Sequence, residues 1–238
     1  MKVTLFILTV FLSLNSAEGR AQSTAKFFDE ADSFFSKVVS NGKIDYAWIH
    51  HSPEQLNNLM NKAKGIRVSK SNPAEYKSFW INAYNLTVIK GIIDNYPLNS
   101  PLNVKGFFDE IRYDLAGVSL TLNEIENSKL RAIFDEPRIH FVLVCGANGC
   151  PPIISEAYIP SKLEQQLRCQ TKKALNDPAF IRVSDDRVGL SEIFKWYRED
   201  FVKDGQTELD FINKFRKETI AADSEISYYP YNWKLNSK

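Results

Sequence analysis

Few residues of the kinds that ordinarily carry chemistry occur in this chain. Its 238 residues hold three cysteines and three histidines. An odd cysteine count rules out complete pairing within a monomer. Charge of one sign is also missing. Lys and Arg number 30 against 29 Asp and Glu. Removal of residues 1–21 would take away Lys2, Arg20 and Glu18 and leave the two signs equal. Without a basic surplus, a nucleic-acid or anionic-membrane partner is not expected. No apolar run approaches the ~20 residues needed to span a bilayer. Internal repeats and low-complexity tracts are absent as well.

The one extended apolar run at a terminus is Val3–Leu14, after the basic Lys2 and before the small residues of NSAEGRA. This is the grammar of a secretory signal. The expected organisation is a signal peptide over 1–21, then one domain over 22–238. The mature chain is expected to be exported, periplasmic or extracellular, with no integral membrane segment. Its length suits one domain with a real core.

Within 22–238, helical and strand-like patterns alternate. Phe27, Phe28, Ala31, Phe34, Phe35 and Val38 fall at helical spacing. Ser52-Pro53-Glu54-Gln55 and Asn72-Pro73-Ala74-Glu75 read as helix starts. The second opens a long helix with Phe79, Trp80, Tyr84, Val88, Ile92 and Ile93, apolar on most faces and therefore central. Thr121–Glu124 and Thr207–Asp210 are further capping boxes, and Ser191 caps an aromatic helix. Residues 111–120 and 180–190 read as hairpins. Ile139–Cys145 reads as a short strand buried on both faces. The tail, YYPYNWKLN, is aromatic enough to dock on the body. The expected fold is α+β: a helix-rich single domain with a small sheet built from the buried strand and the hairpins.

The stretch RIHFVLVCGANGCPP (Arg138–Pro152) gathers Cys145, Cys150 and His140 into fifteen residues. Three readings fit it, one being simply two free, buried thiols packed as small hydrophobes. A Cys145–Cys150 disulfide would staple the turn, and an exported chain permits it. Alternatively Cys150 is a nucleophile with His140 as base. In a regular strand His140 and Cys145 would face opposite sides, so His140 would reach only Cys150, and only through a fold-back of the turn. His50 and His51 remain as other bases. A metal site is weaker, since two Cys and His140 supply only three ligands, and no metal or cofactor is expected. Cys169 falls off its helix's apolar face and reads as an exposed free thiol or an intermolecular link. Asn82 and Asn85, three apart in the central helix, share a face. Either they tie neighbouring loop backbone to the helix, or they line a cleft, Asn82 orienting a catalytic His. Lys195, Arg198, Glu199 and Asp200 read as a solvated face.

Five motifs in order, FWINAYNLTVIKGI (Phe79–Ile92), VSLTLNEIEN (Val118–Asn127), RIHFVLVCGANGCPP, LSEIFKWYREDF (Leu190–Phe201) and PYNWKLN (Pro230–Asn236), resemble the domain of unknown function 547 family. The resemblance spans about Ile44 to Asn236. It implies a fold neighbourhood and no agreed reaction, substrate or partner. Two functional expectations follow. The first is a binding or interaction module with a structural cysteine turn. The second is a cysteine-dependent hydrolase or transferase on amide or ester bonds, with Cys150, His140 and Asn82 as nucleophile, base and orienter.

Overall fold

In the computed structural model, which describes residues 23–238, helices form where the apolar spacing places them. The leader expected over 1–21 lies outside the described residues. Residues 23–38 (α1) bury Phe27, Ala31, Phe34, Phe35 and Val38 along one stripe. A short hairpin, Val39–Ser40 (β1) with Lys43–Ile44 (β2), follows, then helices Tyr46–His51 (α2) and Glu54–Gly65 (α3). Pro53 stands at the cap of α3 without a side-chain cap bond, so the box read at Ser52 is not formed.

Pro73–Asp94 (α4) is the central helix. Asn72 caps it by accepting from the Glu75 N–H at 3.4 Å. Phe79, Ile81, Ala83, Leu86, Val88 and Ile92 are all buried, on different faces, because other elements pack around its whole circumference. A hairpin, Tyr113–Leu115 (β3) and Val118–Leu120 (β4), closes through Ala116-Gly117, both at positive φ, as a tight two-residue turn demands. The Thr121/Glu124 capping box is complete, at 3.1 and 2.8 Å. It starts Leu122–Glu124 (α5), which runs directly into a seven-residue π-helical stretch, Ile125–Arg131.

The expected strand Ile139–Cys145 is not a strand. Pro137–Phe141 is a 3-10 turn, and the amides of Val142 and Leu143 both return to the Ile139 carbonyl at 3.0 Å. A continuous apolar run cannot by itself distinguish a buried strand from a buried turn of helix. Pro137 supplies the helical start. The run is apolar throughout because the segment is enclosed on every side, with Ile139, Phe141, Val142 and Val144 all buried. Strand parity therefore does not govern His140 and Cys145, and the expectation that they face opposite ways falls with it.

The C-terminal part contains Leu163–Leu175 (α6), a hairpin of Ile181–Ser184 (β5) and Arg187–Ser191 (β6), helices Glu192–Trp196 (α7), Arg198–Phe201 (α8) and Glu208–Asn213 (α9), and Glu225–Tyr229 (β7). Strands order β5-β6-β7, with β6 and β7 parallel in the register Val188↔Ile226 and Leu190↔Tyr228. The chain between them crosses over through α7, α8 and α9, as a parallel pair requires. The fold is thus α+β and helix-rich, with small sheets made from hairpins and β7 and without the buried strand. No helix among the described residues is long and apolar enough to cross a membrane.

Candidate functional site

Two asparagines of α4 determine where the site's backbone runs. Asn85 Oδ1 accepts from the Val144 N–H at 2.9 Å, and its Nδ2 donates to the Val142 carbonyl at 3.0 Å. Asn82 does the same for one residue, accepting from the Tyr158 N–H at 3.0 Å and donating to the Tyr158 carbonyl at 2.7 Å. Both amides are buried. Each turns an acceptor and a donor to the loop, the two groups a neighbouring peptide would offer, and Asn82 uses its second N–H on the Ser78 carbonyl at 2.9 Å. The irregular segments at 142–144 and 158 thus receive from side chains the pairing a sheet would supply. Of the two readings of these residues, tying loop backbone to the helix is the arrangement observed.

Beyond Val144 the Gly-rich turn is clamped by the C-terminal tail. The Asn148 and Gly149 amides donate to Lys234 and Asn232 carbonyls, each at 2.8 Å, and the Asn236 amide donates to Gly146 at 3.0 Å. Gly146 is at φ +82°, and a Cβ there would lie 2.6 Å from Ile92. At Gly149 a Cβ would strike the Tyr231 ring at 2.8 Å. The turn is glycine-rich because helix and tail approach it so closely. Cys145 and Cys150 stand paired at disulfide distance, their Cα atoms 6.5 Å apart. The Tyr231 hydroxyl touches both sulfurs, at 3.1 Å from Cys145 Sγ and 3.0 Å from Cys150 Sγ. The Cys145 N–H also points at Cys150 Sγ, at 3.0 Å.

Beside this turn lies a cavity of about 220 Å³. Its walls include Tyr84, Phe108, Leu143, Cys145, Trp196, Tyr197, Tyr231 and Trp233, with Glu126 and His140 as its ionisable groups. Trp196, Tyr231 and Trp233 pack against one another as a cluster of rings, with centroids 4.8, 4.9 and 5.9 Å apart. Trp196 is partly open to solvent at the rim. Glu126 comes from the π-helical stretch and is 8% exposed. Insertion of an extra residue per turn re-aims side chains, which is why such stretches recur at binding sites. Burial, and then the Glu126 charge, push the Tyr84 and Tyr197 hydroxyls well above the ordinary phenol value. Both stay protonated and can donate to the carboxylate.

His140 is held rather than free. Its Nε2 donates to Asp200 Oδ2 at 2.7 Å, its Nδ1 faces Glu126 at 3.8 Å, and its ring stacks on Tyr197 at 4.1 Å. Asp200 also takes the Arg131 guanidinium at 2.7 and 3.1 Å. Burial alone would raise the Asp200 carboxyl, but the hydrogen bonds from His140 and Arg131 outweigh it and hold the group well below the usual carboxylate range. A carboxyl lowered in the folded state contributes stability that is present above its unfolded pKa and lost as pH falls through the folded value. From about pH 4 downward the wild-type unfolding temperature is expected to fall more steeply than that of Asp200→Asn. Calorimetric scans between pH 6 and 2 check this, and parallel acid limbs would contradict it.

The structure brings Cys145, rather than Cys150, to the cavity together with His140. Cys150 is buried behind it, and Asn82 binds Tyr158 and Ser78 backbone away from the cavity lining. Cys169 is exposed and unpaired. Asp200 does not belong to a solvated face: its side chain is 19% exposed and turned toward Arg131 and His140. Arg198 likewise reaches the buried Glu208 at 2.8 Å. The sequence carries no sign of Glu126 at a site, and places Tyr84 and Tyr197 only as helix aromatics and Asp200 only on a solvated face. Glu126 stands two residues past a capping-box glutamate and looks like an ordinary helical acid. Only the placing of an acid between Ile125 and a later Leu130 on one short helix hinted at burial.

Residues 68–175 match the family described as "Protein of unknown function, DUF547". The match contains the first three of the five motifs and stops short of LSEIFKWYREDF and PYNWKLN. Comparison with curated proteins finds no match, and comparison with solved structures finds none.

Proposed function

We propose that this chain, which matches the DUF547 family over residues 68–175, is a binding protein whose aromatic cavity takes an organic cation, an amine or quaternary ammonium group. The observation that carries the reading is Glu126. It is a buried carboxylate beside a cluster of aromatic rings, and His140, with Nδ1 at 3.8 Å, is the sole basic side chain within salt-bridge distance of it among the described residues. Desolvating a carboxylate is costly unless a charge or hydrogen bonds compensate. Two tyrosine hydroxyls meet part of that cost, and a ligand cation completes it. The faces of Trp196, Tyr231 and Trp233 offer the negative ring potential that attracts such a cation. The volume suits a small molecule or a single side chain rather than an extended ligand. The reading includes export, supported by the signal grammar of residues 1–21 and by a cysteine pair suited to an oxidising compartment.

Choline and its neutral isostere 3,3-dimethylbutanol separate charge from shape. Calorimetric titration of the wild-type chain is expected to favour choline by roughly tenfold or more, the scale of a partly desolvated cation–π and charge contact. In Glu126→Gln, which keeps the side-chain shape, that preference is expected to disappear. Equal binding of the two compounds to the wild type, or an unchanged preference in the variant, would refute the reading.

A further inference from the structure

The two sulfurs of the Cys145–Cys150 pair occupy unlike positions. Cys145 is part-exposed and forms part of the cavity wall. Cys150 is buried, and the Cys145 N–H points at its sulfur at 3.0 Å. The Tyr231 hydroxyl lies between the two sulfurs, 3.0 Å from Cys150 and 3.1 Å from Cys145, free to turn its proton to whichever carries the charge. Thiol–disulfide exchange needs one sulfur that an incoming thiolate can reach and another that leaves as a stabilised thiolate. We propose that this pair is a thiol–disulfide exchange centre for small thiols, with Cys145 the attacked sulfur and Cys150 the leaving one.

The steps balance as follows. A substrate thiolate entering through the cavity attacks Cys145 Sγ. A new sulfur–sulfur bond forms there as the Cys145–Cys150 bond breaks, and its electron pair goes to Cys150. The Cys150 thiolate is met by the Cys145 N–H and the Tyr231 O–H, donors already in place before the bond breaks. A second substrate thiolate attacks the substrate sulfur of the mixed disulfide and releases Cys145 as a thiolate. Two substrate thiols are thereby oxidised to one disulfide. The protein's pair is reduced and takes up the two protons that the substrate thiols gave to solvent. The reverse exchange, with a small disulfide as oxidant, restores the pair. Burial first, with nearby Tyr197 and Glu126, raises the Tyr231 hydroxyl well above its ordinary value. It therefore remains a donor at neutral pH instead of ionising against the leaving thiolate. Nothing in this exchange requires a cation in the cavity, so it stands apart from the reading of Glu126.

The test uses the oxidised full chain carrying Cys169→Ser, which removes the exposed thiol, and the neutral thiol 2-mercaptoethanol. After brief reaction, acid quench and alkylation in denaturant, peptide mass mapping is expected to place the mercaptoethanol adduct on Cys145 and the alkyl group on Cys150. An adduct on Cys150, an even split, or no reaction until the protein is unfolded would each overturn the assignment. Tyr231→Phe keeps the ring and loses the donor. Its reduction by the same thiol is expected to be slower by about tenfold, the scale of one hydrogen bond to a charged sulfur. A rate equal to wild type would remove Tyr231 from the mechanism.

Discussion

Phe201→Ala is expected to lower the unfolding free energy by about 3–5 kcal/mol, the cost of deleting a fully buried phenyl ring and leaving a cavity. Phe201 is completely buried. Its ring lies 4.6 Å from Phe194, 5.1 Å from Phe211 and 5.4 Å from His140. Such a site cannot close over the gap cheaply, because its neighbours come from α7, α9 and the 3-10 turn and are each fixed by their own packing. The loss also undermines the site, since the Phe201 ring packs at a tilt against His140. Urea unfolding of wild type and variant measures the difference. A shift below about 1 kcal/mol would mean that the cluster repacks freely.

Asn85→Leu is expected to cost about 2–5 kcal/mol despite keeping nearly the same volume. The side chain change leaves the Val144 N–H and the Val142 carbonyl buried and unpaired, at roughly 1–3 kcal/mol for each. Both partners lie in the segment that leads into Cys145, so the local effect should exceed the global one. Urea unfolding gives the total. Amide exchange at Val144, expected to speed up well beyond that of α4, gives the local share. An unchanged midpoint would show that the backbone finds other partners and that Asn85 is not what holds the turn.

Local signals carried most of the fold. Asn72-Pro73, Thr121–Glu124 and Thr207–Asp210 begin helices for reasons contained in four residues. Ala116-Gly117 closes a hairpin for reasons contained in two. The segment at Ile139–Cys145 reads as a strand in sequence because its even apolarity comes from enclosure on all sides, a tertiary property. The parallel pairing of β6 with β7 joins residues almost forty apart, and no periodicity in either strand announces it. The same division holds at the site. Cys145, Cys150 and His140 were visible because the chain places them close together. Glu126, Asp200, Tyr84 and Tyr231 converge only through folding. Arg131 and Asp200 look like solvated charges until the position of each other and of His140 is known. Two asparagines inside an apolar helix were the best clue, since a buried amide must have partners and theirs turned out to be the backbone of the site.

Those amides also fix one wall of the cavity to the core. Asn82 and Asn85 stand three residues apart on a rigid helix, about 4.5 Å along its axis, so the loops at 158 and 142–144 travel with α4 and with each other. To displace Cys145 the molecule would have to break bonds sealed inside its core. The opposite wall is held from the same turn: Trp196 closes a five-residue helix and is open to solvent, but the carbonyls on either side of Trp233, those of Asn232 and Lys234, accept from the Gly149 and Asn148 amides. The tail is thus tied to the turn, and the turn, through Val142 and Val144, to α4. The cysteine segment is gripped from the helix on one side and from the end of the chain on the other.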